Sequence, residues 1–155
     1  MNRVMGQINL DIVTPERRVF QGQVDMIIAP GSEGFLGILP SHTPLITSLR
    51  IGIARIKNND EQIKVAIGGG FMEVQPDKII ILANTAELGN EIDISRARAA
   101  KERAEERIAT FENGGVASTE FDLLRARTSL QRALTRLKAA DDDGTWRPGE
   151  KGLEE

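Results

Sequence analysis

The spacing of apolar residues changes once along this chain, near Ala86, and that change constrains the fold more than any other feature of the sequence. Before it, apolar residues alternate or gather in short runs, with Gly and Pro between them. Ile8, Leu10 and Ile12 alternate with Asn9, Asp11 and Val13, and Thr14-Pro15 follows as a turn signal. Val24 to Ala29 reads as a strand ending at Pro30-Gly31. Leu36 to Leu39 ends at Pro40, and Leu45 to Leu49 ends before Gly52. Ile53 and Ile56 lie in a run closed by Asn58-Asn59-Asp60, a hairpin-like turn. Ile63, Val65 and Ile67 alternate up to Gly68-Gly69-Gly70, Phe71 to Val74 ends at Pro76-Asp77, and Ile79 to Ala83 is continuously apolar. Short strands with turns about every 8 to 12 residues specify an antiparallel sandwich or barrel.

After Gly89 the period becomes helical. Asp93 or Ser95 is placed to cap a first helix, whose apolar stripe is Ala97, Ala100, Ala104, Ile108 and Phe111. Asn113-Gly114-Gly115 stops it. Ser118 or Thr119 can start a second helix with the stripe Leu123, Ala126, Leu130, Ala133, Leu137, Ala140. A short Gly-containing link between two such helices predicts an antiparallel hairpin. Alanine fills about half the seam. It buries little area, at ~25 cal/mol per Å² of apolar surface, so the hairpin is open to two readings: a small domain that is always closed, or an arm that opens while the first half stays folded. From Asp141 the chain is acidic and rich in Gly, Pro and Glu, and is expected to be disordered.

Composition narrows the chemistry. Hydrophobic residues make up 40% of the 155 but aromatics only 4%, with one Trp and no Tyr, so a core must be aliphatic. A net charge of −3 gives the whole chain no basic character for nucleic acid. The absence of Cys excludes disulfides, zinc thiolates and thiol nucleophiles. No apolar run approaches the ~20 residues of a membrane span. Met1 to Met5 shows no signal-peptide pattern, so a soluble intracellular chain is expected, meeting a membrane only through a partner.

No catalytic residues emerge, and no metal site. His42 is the sole histidine and sits in Pro40-Ser41-His42-Thr43-Pro44, a rigid turn that suits a partner contact better than catalysis. The glycines at 68 to 70 lack a following Gly-Lys-Ser/Thr and precede a strand, so they predict a bulge or close backbone approach and not a phosphate loop. Arg96 and Arg103 are seven apart on one helix face, as are Arg125 and Arg132, with Arg136 one turn beyond. If the hairpin closes, the rows can converge, and guanidinium forks suit phosphate oxygens. The other reading is a set of solvated charges paired at helical spacing with Glu102, Glu105 and Glu106.

These residues carry a family resemblance. Leu10-Asp11-Ile12-Val13-Thr14-Pro15-Glu16 comes first, then the stretch from Gly31-Ser32-Glu33-Gly34-Phe35 through Pro40-Ser41-His42-Thr43-Pro44-Leu45. Gly69-Gly70-Phe71-Met72-Glu73-Val74, Ala86-Glu87 and Ile92-Asp93-Ile94-Ser95-Arg96-Ala97 follow in order. Together they resemble the epsilon subunits of bacterial and chloroplast F-type ATP synthases along nearly the whole chain, the tail from Asp141 excepted. The resemblance implies a mixed fold, β then α: an N-terminal antiparallel β-sandwich over 1–87 and a regulatory two-helix antiparallel hairpin over 88–140, then the tail 141–155. It implies a non-catalytic rotor subunit of the central stalk, coupling proton flow to ATP synthesis. The sandwich would dock on the gamma subunit and the c-subunit ring, with Glu33, Phe35 and His42 as contacts.

By the same resemblance the extended hairpin would enter the alpha/beta catalytic head and inhibit ATP hydrolysis. ATP would be a regulatory ligand of the closed hairpin, not a required cofactor, held by Glu87, Ile92, Asp93, Arg96, Ala97, Arg103, Arg132 and Arg136. The expected location is peripheral, at the cytoplasmic face of a bacterial plasma membrane. Two alternatives compete: a freestanding ATP-binding sensor, and a small enzyme or ligand-binding sandwich, which needs a polar cleft within residues 1 to 85.

Overall fold

The structure, a computed structural model, describes residues 6–114 and 119–140. The expected disorder of the acidic tail, the Gly115 stop and the Ser118 cap lie outside the described residues. Eight strands come first: β1 (Ile8–Val13), β2 (Arg18–Val24), β3 (Met26–Gly31), β4 (Gly34–Ile38), β5 (Leu45–Asn58), β6 (Glu61–Gln75), β7 (Lys78–Ala83) and β8 (Ala86–Leu88). A short 3-10 turn (Gly89–Glu91) leads to helices α1 (Ile94–Glu112) and α2 (Glu120–Ala140). Strand order is β2-β1-β7-β6-β5-β3-β4, with β8 on β6. Every pairing is antiparallel except β1 with β7, which is parallel from Asn9↔Lys78 to Val13↔Leu82.

β5 and β6 span 14 and 15 residues and pair along nearly their whole length, which lets them pass from one layer to the other. The first half of β6 holds β8 and its second half holds β7. Gly52 and Gly68 to Gly70, where local pattern suggests strand ends, are therefore corners within continuous strands. Gly69 and Gly70 have φ of +88° and +145°. A Cβ on Gly70 would press on the Leu82 carbonyl and stand 2.8 Å from Ala83 Cα. The glycines permit close backbone approach, as their sequence context predicts.

The core is aliphatic. Ile8, Leu10 and Ile12 of β1 meet Ile27, Ile38, Ile56, Val65, Ile67, Met72, Ile79 and Ile81 in one buried cluster. Alternation along β1 and β7 places these side chains on the inner face.

Asp93 caps α1, its Oδ1 accepting the Arg96 backbone N–H at 3.1 Å. Gly114, at φ +70°, follows its C-cap residue Asn113. Thr119 opens α2 through a reciprocal cap. Its hydroxyl oxygen accepts Asp122 N–H at 3.2 Å, and Asp122 Oδ2 accepts Thr119 N–H at 3.2 Å. The seam buries Ala97 and Ala104 of α1 and Ala126 and Ala133 of α2, with Leu123, Leu130 and Leu137 half-buried.

α2 also has a second face that its apolar stripe does not reveal. Thr135 and Ala139 are buried, and Ala139 joins Ala66, Ile92 and Ala97 in a small cluster that seats the hairpin on the sandwich. Two glycines admit α2 there. A Cβ on Gly89 would lie 2.5 Å from the Ala139 carbonyl oxygen, and one on Gly68 would collide with Thr85 and approach Arg132 Nε to 3.4 Å.

Candidate functional site

The closed hairpin leaves a groove of about 680 Å³ where it meets the sandwich. Small-molecule sites fall in the same range of size, roughly 300–1,000 Å³. Four parts of the chain line it. The capped start of α1 supplies Asp93, Arg96, Ala97 and Arg103; β8 supplies Glu87, and α2 supplies Arg136. The turn between β1 and β2 adds Thr14, Glu16 and Arg17. Arg136 Nε donates to Glu87 Oε1 at 2.9 Å, a charged hydrogen bond that ties α2 to β8.

A second groove of about 310 Å³ opens beside the first and shares Arg103 and Arg136 with it. Arg107 and Arg132 complete a lining that holds four arginines and no carboxylate. Arg132 is pressed toward the sheet, against Gly68, Thr85 and Thr135, and its Nε is buried without a hydrogen-bond partner. The two arginine rows thus converge through Arg103, Arg132 and Arg136. Arg125 lines neither of these grooves; its guanidinium lies 5.6 Å from the Phe121 ring centroid, and it shares a further groove with Arg103 and Arg107 nearer the hairpin tip.

Of the eight residues expected to hold ATP, Glu87, Asp93, Arg96, Ala97, Arg103 and Arg136 line the first groove and Arg132 the second. Ile92 lines neither; it is buried at the seat of the hairpin, where it supports the residues beside it. The contributions of Thr14, Glu16 and Arg17 escaped sequence reasoning. Thr14-Pro15 signalled only a turn, and nothing local shows that this turn faces a helix begun about 80 residues later.

The expected docking residues do not form one cluster. Glu33 and Phe35 stand at the β3–β4 turn, where the Arg50 guanidinium lies 5.0 Å from the Phe35 ring centroid. His42 lies past the other end of β4, its Nδ1 2.6 Å from the Thr43 carbonyl oxygen. That loop is fixed by Ser41, at φ +63°, whose N–H donates to the Pro76 carbonyl. A further apolar patch lies on the outer face of the sheet. Phe71 and Leu82 pair directly across β6 and β7 and are 61% and 57% exposed, while Ile46 on β5 shares their face and is 75% exposed.

Comparison with known proteins matches this organisation to one family. Residues 7–89 match the ATP synthase delta/epsilon chain β-sandwich domain, and residues 90–141 match the long α-helix domain of the same chain. The chain belongs to the ATP synthase delta/epsilon family. The ATP synthase epsilon chain of Pelotomaculum thermopropionicum is 57% identical over 100 residues, covering 64% of this chain and 75% of that one. The epsilon chain of Alkalihalophilus pseudofirmus is 47% identical over 112 residues, covering 72% and 84%.

In fold, this epsilon-type chain is similar to a chain of the Euglena gracilis mitochondrial ATP synthase, from a structure of its OSCP/F1/c-ring. The TM-score is 0.71 at 22% identity, covering 91% of this chain and 85% of that one. A chain from the central stalk and c-ring of the Tetrahymena thermophila mitochondrial enzyme gives a TM-score of 0.54 at 17% identity, covering 88% and 98%. Membership makes this epsilon-type chain a subunit of the ATP synthase and not a catalyst on its own. Among the described residues no helix is long and apolar enough to cross a membrane.

Proposed function

We propose that this chain is a central-stalk rotor subunit of a proton-translocating ATP synthase, and that its hairpin restrains ATP hydrolysis unless a nucleotide holds it closed. The observation that carries this reading is how the hairpin is seated. Small side chains seat it, and a groove containing both carboxylates and arginines lies along its joint with the sandwich. Opening the hairpin separates Glu87 and the β1–β2 turn from Arg96 and Arg103. A ligand that needs both sides therefore binds only the closed form and shifts the balance toward it. Arginine-rich walls suit the triphosphate of ATP, and the neighbouring carboxylates suit N–H donors on its base.

In this reading the sandwich is the fixed end. Its exposed patch of Ile46, Phe71 and Leu82 presents an apolar surface to the gamma subunit, and Glu33, Phe35 and His42 offer polar and aromatic contacts to the c-subunit ring. The extended hairpin reaches the alpha/beta head. The complex carries the chain to the cytoplasmic face of the bacterial plasma membrane, where it is peripheral.

The test is ATP hydrolysis by the cognate catalytic head, with the whole chain or with a chain ending at Leu88. The shortened chain keeps β8 and the whole large core cluster, which ends at Ala86 and Leu88. Hydrolysis should rise several-fold with it. Equal rates would remove the restraining role and leave the docking role standing.

A further inference from the structure

The groove has a wall that neither arginine row supplies. The β1–β2 turn is locked from within. Thr14 N–H and hydroxyl both donate to the Arg17 carbonyl, at 2.9 and 3.2 Å, and Arg17 N–H donates back to the Thr14 hydroxyl oxygen at 3.2 Å. Thr14 is buried, so the turn is anchored to the sandwich. The Arg17 backbone is therefore fixed at the groove while its side chain stays half exposed, its Nη2 3.6 Å from Glu91 Oε2. A solvent-exposed ion pair contributes little to stability, and its partner is easily exchanged.

We propose that Arg17 is a further nucleotide-contacting residue that covers the base of a nucleoside triphosphate, an assignment resting on the reading of this groove as a nucleotide site. Charge sets the direction in which such a ligand lies. The second groove holds four arginines and no carboxylate, and it joins the first at Arg103 and Arg136. Phosphates belong there. Glu16, Glu87 and Asp93 line only the first groove, where they repel phosphate and accept hydrogen bonds from N–H groups of a base. Arg17 stands on that same wall. A planar guanidinium stacks on the face of a base in a way an ammonium does not. Because Arg17 belongs to the sandwich and Arg96 and Arg103 to the hairpin, a ligand gripped by all three distinguishes the closed arm from the open one.

The experiment is calorimetry on the full chain with ATP, and with tripolyphosphate as a competitor, for the wild type, Arg17→Ala, Arg17→Lys and Arg103→Ala. Arg17→Ala should weaken ATP about tenfold and Arg17→Lys nearly as much, both leaving tripolyphosphate unchanged. Arg103→Ala should weaken both ligands. Circular dichroism of each ligand-free variant should match the wild type. Unchanged ATP affinity in Arg17→Ala, beside a loss in Arg103→Ala, overturns the assignment. Equal losses of ATP and tripolyphosphate in Arg17→Ala overturn its placement at the base. Failure of tripolyphosphate to compete overturns the placement of the phosphates from which the argument starts. A wild-type chain that binds neither ligand overturns the nucleotide reading of the groove, and this assignment with it.

Discussion

The sandwich and the hairpin bury different kinds of side chain, and the difference separates a platform from an arm. Inside the sandwich, Ile8, Leu10, Ile12, Ile27, Ile56, Ile67, Ile79 and Ile81 are almost wholly removed from water. Each such side chain contributes roughly 1.5–3 kcal/mol by burial alone. Inside the hairpin the buried positions are Ala97 and Ala104 of α1 and Ala126, Ala133, Thr135 and Ala139 of α2, five alanines and one threonine. The joint between the two regions is also small, with Ala66, Ala97 and Ala139 around Ile92, and Ile53, Leu137 and Ala140 partly buried against them. A helix pair held this way lies close to its support through fewer large buried side chains than hold the sandwich together. The proposed restraint needs such a contrast, an arm held less firmly than the platform beneath it.

The comparison can be broken most directly at the core. Ile79→Ala removes a buried branched side chain between β1 and β6 and should cost about 2–5 kcal/mol. Denaturant unfolding of the full chain should show its midpoint fall, with strand and helix signals lost together. If the helical signal alone moved, the platform would not be the firmer region.

The order of strands followed by two helices was legible in the sequence because it is written in local periodicity, two against 3.6. The aliphatic core was legible for the same reason, and so was the Asp93 cap, which sits immediately before the stripe it starts. What escaped is non-local. Gly52 reads as a strand end, but the structure stands it against Pro30, where a Cβ would lie 2.8 Å from the ring, so the chain turns a corner there instead of stopping. The parallel pairing of β1 with β7 joins segments about 70 residues apart and leaves no mark in either. The second face of α2 is carried by Arg132, Thr135 and Ala139, residues whose polarity or size gives no apolar signal. In the groove, helical spacing paired Arg96 with Arg103 and set Arg136 one turn beyond Arg132, and the family resemblance pointed to Glu87 and Asp93. The β1–β2 turn stayed invisible, because it becomes a groove wall only once the hairpin has been laid against it.

A finer test concerns what holds the arm down. The Glu87–Arg136 pair is a charged link between β8 and α2, and its side chains are 37% and 28% exposed. Partial exposure limits its worth to about 1 kcal/mol. Glu87→Gln should therefore quicken hydrogen exchange of α2 amides by up to about fivefold and leave β6 and β7 protection unchanged. Equal changes in helix and strands would show that the two regions open as one unit.

The smallest effect belongs to the far end of the arm, at the start of α2. The hydrogen bonds from the Thr119 backbone and hydroxyl to its carboxylate lower the Asp122 pKa below its ordinary value of 3.8. A carboxylate more acidic in the folded chain than in the unfolded one stabilises the fold when ionised, so the contribution is complete well above 3.8. It begins to fall as pH drops past that value and is gone below the lower, folded one. The hairpin tip should then fray on acidification while the sandwich, whose interior is aliphatic, persists. Amide exchange or chemical shifts of Thr119 to Leu123, followed from about pH 6 to pH 3, should show this loss in the wild type and not in Asp122→Asn, which lacks the ionised acceptor from the outset. Identical titration of those amides in the two proteins would remove the cap from the account of what orders the arm, and would shift the weight at that end to its Ala-lined seam.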